Sequence, residues 1–409
     1  MTRIRFVAVA LLGLTIRTAP AAAQSSLPDG GPDPATVRVR IGPLWMNPVL
    51  SLSNLGIDQN VFNVPADKNP SKDFTATVAP NTDLWLRLGR TWLTGSLKEE
   101  IVWYQKYASE RSANNAYSIA WKMPFNRVIL STNAGYISSR ERPGFEIDLR
   151  AHRTEVNYVG ALEIRALANT FVGIRASSVK VKFDQATVFQ GSDLHDELNR
   201  TTTTTGLSLR NQLTPLTSLS LSATRVQDRF QFNPLRDSNS TALLATLTLD
   251  PFALVKGNLT VGYRDFEPLS HDVPNFIGTT VSSDLSYAIF ETTRFTLHAV
   301  RDVQYSYDIN QPYYVLSGID GSVAQQIFGP FDLIARLGAE RMAYRDRVGA
   351  DVQITDRTDR VRSYGAGIGY HMGKDLRLGL NIDKSIRSSE LLARRYDDVK
   401  IGTAITYGF

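Results

Sequence analysis

The chain has 409 residues, 28 of them glycine, 16 tyrosine and 18 phenylalanine, with no cysteine and a formal net charge of +5. The absence of cysteine excludes a disulfide framework and a lipidated-cysteine anchor. A negative mean hydropathy with no apolar run long enough to cross a bilayer excludes a bundle of transmembrane helices.

At the N-terminus, Arg3 and Arg5 precede an apolar run from Phe6 to Leu14, and small residues from Ala19 to Ala23 lead into Gln24. This predicts a secretory signal peptide over 1–23. Without Arg3, Arg5 and Arg17 the mature chain carries 42 basic against 40 acidic residues, so the basic balance points to no nucleic-acid partner. Residues 24–36, with Pro28, Gly30, Gly31, Pro32 and Pro34, suit a short periplasmic linker.

From residue 37 onward apolar residues alternate in segments, separated in turn by tight and by longer polar connections. Tight turns are expected at Gly89-Arg90, Pro124 to Asn126, Leu167 to Asn169, Thr214-Pro215, Asp250-Pro251, Thr292-Thr293, Gly329-Pro330 and Gly373-Lys374. Longer connections are expected at Val64 to Lys72, Ser109 to Asn114, Glu141 to Ala151, Gln185 to Leu198, Gln231 to Asn239, Glu267 to Asn275, Asp308 to Gln311, Arg345 to Thr358 and Ser388 to Arg395. Period-2 alternation marks strands whose faces meet different media, and a barrel lets a polar chain live in lipid because every second residue faces water. The prediction is an all-β, antiparallel, up-and-down transmembrane barrel over 37–409, of about 18 strands, or 16 if one hairpin is misread. Both termini then face the periplasm of a Gram-negative-type cell.

Several strands divide into a lipid face and a lumen face. Val156, Tyr158, Leu162 and Ile164 oppose Glu155, Asn157, Glu163 and Arg165. Phe331, Leu333, Ala335 and Leu337 oppose Asp332, Arg336 and Glu340. Tyr364, Ala366, Ile368 and Tyr370 oppose Gly365, Gly367 and Gly369, and Leu376, Leu378, Leu380 and Ile382 oppose Arg377, Gly379, Asn381 and Asp383. The inward set mixes both signs with small polar residues, as a passage without strong ion preference would; an interior ion-pair network that plugs the barrel is the alternative. Parity puts Glu99, Arg175 and Arg301 on the lipid face, where a basic group costs about 2–4 kcal/mol at mid-depth, so either one side of the barrel is covered by protein or, as expected here, bulges reset parity in those strands. Trp85, Trp92, Trp121 and Phe125 at the tight turns, and Trp103, Tyr107, Tyr305, Tyr307, Tyr313 and Tyr396 at the longer loops, are expected to form two interfacial girdles. No loop is long enough to suggest a constriction folded into the bore.

The final strand alternates Val399, Ile401, Thr403, Ile405, Tyr407 and Phe409 against Asp398, Lys400, Gly402, Ala404, Thr406 and Gly408. It resembles the closing strand of bacterial outer-membrane barrels, which implies that Tyr407 and Phe409 are read by the outer-membrane assembly machinery.

Catalytic chemistry finds little support. The five histidines, His152, His195, His271, His298 and His371, lack metal-ligand spacing. His298, Asp302 and Ser306 share a strand face, but a separation of four residues is about 13 Å, too far for a triad. His195-Asp196-Glu197 reads as a solvated loop, and no phosphate-binding glycine motif occurs. The expectation is a non-enzyme without cofactor or metal.

The segment Gly42-Pro43, Pro48-Val49-Leu50 and Gly56-Ile57-Asp58-Gln59-Asn60-Val61-Phe62 resembles the opening of the putative β-barrel porin 2 family. What that resemblance implies is an exit channel for a secreted polysaccharide, working with a periplasmic polysaccharide-export protein. A general or nutrient diffusion porin and a plugged structural or adhesive scaffold are the alternatives. Deletion of Phe409 is expected to reduce outer-membrane assembly sharply while leaving secretion intact, measured as loss of the heat-modifiable species from outer-membrane fractions; an unchanged band would contradict the closing-strand reading.

Overall fold

The computed structural model describes residues 31, 32, 34, 37–185, 187–249, 254–290, 292–373 and 375–408. The leader, most of the 24–36 segment, the Asp250-Pro251 turn, Lys374 and Phe409 lie outside them.

The main sheet holds nineteen strands, one of which, Val39–Ile41, forms a small hairpin with the next. The other eighteen are the barrel staves. In chain order they are β1 Leu44–Asp58, β2 Asp73–Leu88, β3 Thr91–Tyr104, β4 Ser112–Pro124, β5 Val128–Glu141 and β6 Ala151–Leu167. Next come β7 Thr170–Phe183, β8 Arg200–Thr214, β9 Thr217–Phe230, β10 Ser238–Leu249, β11 Val255–Pro268 and β12 Phe276–Ile289. The last six are β13 Thr293–Tyr305, β14 Tyr313–Phe328, β15 Phe331–Arg345, β16 Thr358–Met372, β17 Leu376–Ser388 and β18 Tyr396–Tyr407. The staves thus begin at Leu44. Each pairs antiparallel with its chain neighbours, and β18 returns to pair with β1. The ring is closed, which in lipid is obligatory, because an open edge would leave backbone N–H and C=O groups unpaired in hydrocarbon.

Closure rests on the segment that carries the family resemblance. Tyr407 opposes Leu50, Ile405 opposes Leu52, and the register then slips between Leu52 and Leu55. Asn54 adopts a positive φ of 51° at the slip. Among the described residues this is the one register shift remote from a turn; it flips the parity of β1, so that Leu52 and Leu55 both face lipid. Beyond it, Asn60 is buried, accepts from Val64 N at 3.0 Å, and donates to Val64 O at 2.8 Å and Asp397 O at 3.1 Å. Its own N–H reaches Asp58 at 3.0 Å and Asp398 at 3.1 Å. Lys400 then sits between the same two carboxylates, at 3.1 and 3.6 Å. One asparagine and three charges therefore stitch the first strand to the last.

The lipid face is the exposed one: Leu207, Leu221, Leu243, Val261, Ile319 and Leu337 are large apolar side chains open to the exterior. Trp121, Phe125, Phe290, Phe328 and Tyr370 ring the short-turn end. Two expected girdle tryptophans do not belong to that ring. Trp85 and Trp92 point inward and are buried; Trp45 meets Trp92 edge-on at 5.0 Å, and Arg40 and Arg87 lie over Trp45 and Trp92 at 4.5 and 5.8 Å. At the long-loop end Trp103 is exposed, whereas Tyr305, Tyr307, Tyr313 and Tyr396 are buried or half-buried against neighbouring side chains.

None of the three parity anomalies is a bulge: the ladders run unbroken through Glu99 and Arg175, and at Arg301 the ladder to β14 runs on without a shift while the ladder to β12 ends. Glu99 faces lipid and accepts a hydrogen bond from the Tyr117 hydroxyl. Arg175 faces the lumen; the apolar residues that suggested otherwise, Val179, Val181 and Phe183, are themselves inward, packing beneath loops. Arg301 faces outward near the long-loop end, among other arginines.

A Cβ on Gly56 would run into the main-chain oxygen of Ile401 on β18. Backbone cannot yield there without opening the seam, so Gly56→Val is expected to abolish the folded, heat-modifiable barrel in refolding assays, whereas Gly160→Val, at a site with nothing nearby, is expected to fold normally.

Candidate permeation pathway

A ring of eighteen strands encloses far more space than wall side chains can fill, as the water-filled bores of barrels this size show. The wall differs around its circumference. On β9 to β12 it is rich in hydroxyls, with Ser220, Ser222, Thr246, Thr260 and Ser282 on the inward parity, and its charges include Arg264, paired with Asp302, and Asp284, beside His298. Thr246 and Thr260 hydroxyls meet at 2.9 Å. On β6 to β8 and β15 to β17 it is charged, and several of its charges are paired. Glu163 is held by Arg210 through bonds of 3.0 and 2.6 Å. Asp332 takes two bonds from Arg377, at 2.8 and 2.6 Å, and lies 2.6 Å from His371. Arg336 donates to Asp383 at 3.1 and 2.7 Å. Arg165 covers the Phe171 ring, Glu155 is buried opposite Val181, and Glu340 is buried near Asp320 with one carboxyl oxygen unpartnered.

The inward row Gly365, Gly367 and Gly369 does not open the wall. Side chains from both neighbouring strands fold across it: Arg336 and Asp383 over Gly365, Asn381 over Gly367, Arg377 and Asp332 over Gly369. The glycines are there because the ion pairs occupy the space that side chains on β16 would need.

The long-loop half of the bore is narrowed. The connection 142–150 leaves β5, turns at Pro143-Gly144 and reaches the far wall, where Glu146 accepts from the Ser306 hydroxyl at 2.6 Å and from Tyr307 N at 3.2 Å. Those residues follow β13, with eight strands between the two connections one way round and ten the other. From β17, Arg387 donates to the main-chain oxygens of Phe145 and Glu146 at 2.9 and 3.1 Å, and Arg394 also bonds Glu146 O. Arg387 pairs with Asp359 at 2.6 Å and Asp148 at 3.3 Å, and Arg394 with Asp148 at 2.8 Å. A second tie is Arg236, fully buried, which donates to Ser306 O at 2.6 Å and Pro312 O at 2.9 Å while pairing with Glu197 at 2.9 Å. Around these bonds Ile147, Phe189, Leu194, Leu198 and Tyr307 form a small apolar core against Val181 and Phe183.

Leu194 and Leu198 come from a one-turn helix, Leu194–Leu198, capped by Asp193, which accepts from His195 N at 2.9 Å. The helix corrects the reading of His195-Asp196-Glu197 as a solvated loop, since Glu197 belongs to the buried tie. The expectation that no loop constricts the bore is likewise overturned. Its cue was in the sequence: Phe145, Ile147 and Leu149 alternate within a nine-residue connection that solvent alone would not favour. His298, Asp302 and Ser306 do not converge, each serving a different partner: Asp284 at 3.0 Å, Arg264 at 2.8 Å and Glu146. Among the described residues no three potential ligands are grouped to hold a metal.

Residues 33–409 match the putative beta-barrel porin 2 family. No curated protein matches the chain. Among solved structures, the chain is similar to a BenF-like porin from Pseudomonas fluorescens Pf-5 (TM-score 0.48, 11% identity, covering 90% of this chain and 98% of that one). It is also similar to Pseudomonas aeruginosa OccK2 (OpdF) in complex with glucuronate (0.45, 12%, 88% and 97%). A third likeness is the FrpB iron transporter from Neisseria meningitidis, F3-3 variant (0.41, 11%, 84% and 62%). The chain spans about three fifths of FrpB and of CdiB from Acinetobacter baumannii, 62% and 60% of their lengths.

Burial raises the Glu146 carboxyl above its ordinary value, against the Ser306 hydrogen bond and the positive charges of Arg357, Arg394 and Arg387. A raised carboxyl contributes its full stability below the ordinary carboxylate range and loses it as pH climbs through the raised value. The loop is therefore expected to be held most firmly in acid, with bilayer conductance falling as pH is lowered; Glu146→Gln is expected to show the low-pH conductance throughout. A pH dependence unaltered in that variant would place the titrating group elsewhere.

Proposed function

Because the chain belongs to the putative beta-barrel porin 2 family, we propose that this outer-membrane barrel is a diffusion porin for small, uncharged or weakly charged hydrophilic solutes, oriented with its long-loop end outward and its termini in the periplasm. The observation that carries the proposal is the crossing loop 142–150, fixed on the opposite wall by Ser306, Tyr307, Arg387 and Arg394. An extended hydrated polymer needs a wide, continuous bore. This bore is narrowed by a knot in which removal of one partner of a buried ion pair costs about 3–5 kcal/mol. The wall chemistry agrees with a small solute. Carboxylates at Glu163, Asp332 and Asp383 are each matched by an arginine, so the field along the wall is weak, and the hydroxylated β9–β12 surface offers exchangeable hydrogen bonds to polar, sugar-like molecules. The polysaccharide exit implied by the resemblance of residues 42–62 would require the knot to undo for every chain exported.

The discriminating experiment is liposome swelling with reconstituted protein over sugars of increasing length, together with surface-glycan staining of a deletion strain. Rapid entry of mono- and disaccharides, exclusion of longer oligosaccharides and normal surface glycan are expected. Loss of surface glycan with polymer retained in the periplasm, and no uptake defect, would assign the exit function instead.

A further inference from the structure

Six arginines in the bore have acidic partners from this chain: Arg210, Arg336, Arg377, Arg387, Arg394 and Arg236 are each ion-paired. A second group behaves differently. On β13 to β16 the outward parity runs from hydrocarbon-facing Ile319, Leu337 and Tyr364 to a basic patch toward the long-loop end. Arg301, Ser317, Arg341 and Arg360 lie in one register row across the four strands. Arg345 follows four residues beyond Arg341 on the same face, about 13 Å along the strand.

Arg301, Arg341 and Arg345 wall a cavity of about 180 Å³, floored by Val315 and Ala343, with Ser317 and Thr358 as hydroxyls and Asp356 as its one acidic residue. Arg301 donates to Ser317 Oγ at 2.7 Å and Arg345 to Tyr344 O at 3.0 Å. Among the described residues no ion pair joins these arginines to Asp356 or to any other carboxylate.

Outward guanidinium groups at the edge of a hydrocarbon belt are costly without an anion, and a planar donor fork fits phosphate oxygens two at a time. We propose that this cavity is a binding site for the phosphate groups of outer-leaflet lipopolysaccharide. The geometry suits such a ligand: acyl chains lie along Ile319 and Leu337, while the phosphate enters the arginine-walled cavity just above them. Ser317 and Thr358 supply further hydrogen bonds. The site rests on the proposed orientation, which puts the long-loop end in the outer leaflet.

The test uses full-length barrel folded in detergent and exchanged into nanodiscs, as wild type, Arg341→Gln and the double variant Arg301→Gln/Arg341→Gln. Lipopolysaccharide retention is measured by native mass spectrometry, with dephosphorylated lipopolysaccharide, phosphatidylglycerol and inorganic phosphate as competing probes. The expected result is at least tenfold weaker retention in the double variant, a smaller loss in Arg341→Gln, and a similar loss for wild type with dephosphorylated lipopolysaccharide. Equal retention by all three proteins would overturn the site. Preference for phosphatidylglycerol, or competition by inorganic phosphate alone at equal strength, would overturn its assignment to lipopolysaccharide. Conductance of the same samples, expected to be unchanged, reports separately on the pore, so failure of the pore reading and failure of the lipid site are distinguishable.

Discussion

The structure depends first on closure. In lipid no backbone group on a barrel edge can be left without a partner, so the eighteen strands are stable only as a ring, and the ring is completed by the β1–β18 seam. That seam is irregular. The register slip at Asn54, the buried amide of Asn60 and the charges of Asp58, Asp398 and Lys400 fix where the last strand meets the first. A slip of one residue would turn Ile401 and Ile405 inward and Lys400 into hydrocarbon, so the polar ties at the seam select one register and the apolar alternation penalises its neighbours.

Strand number then sets the next problem. Eight strands can be filled by their own side chains, whereas eighteen leave a wide aqueous bore. Here the long-loop half is narrowed by connections that have acquired the character of a core: Ile147, Leu194, Leu198 and Tyr307 are buried, and Glu146, Arg236 and Arg387 are satisfied almost wholly by loop backbone and carboxylates. The short-turn half is lined by paired charges and hydroxyls. One molecule thus combines a narrowed mouth with a polar, nearly neutral wall, which is the combination expected for selecting by size more than by charge.

Much of the fold was legible in the sequence because strand alternation and turn residues are local signals. The turns at Gly89-Arg90, Pro124 to Asn126 and Gly329-Pro330, and the inward placement of Asp332, Arg336, Arg377 and Asp383, follow from period 2 alone. What was not legible depends on distant partners. Nothing within β7 says that Val181 and Phe183 pack under a loop from elsewhere, so parity counted from them sends Arg175 to the wrong face. Trp85 and Trp92 look like interfacial residues until Trp45 is placed beside them. The inward glycines of β16 suggest an open wall until Arg336 and Arg377 are seen lying across them. The crossing loop is the feature least visible in the sequence: nine residues suffice to cross the narrowed half of the bore because other loops come to meet it.

The crossing is the claim on which the functional reading turns. The chain has no cysteine, and Gly144 on the loop lies against the Tyr314 side chain of the opposite wall, with 3.7 Å from its Cβ position to the hydroxyl. A Gly144→Cys/Tyr314→Cys pair, treated with a short bismaleimide in membranes, tests the contact directly. The account predicts near-complete intramolecular cross-linking, independent of protein concentration, in folded barrel. Folded, surface-labelled protein in which the two thiols react but do not join would place the loop away from the opposite wall and remove the basis for the constriction.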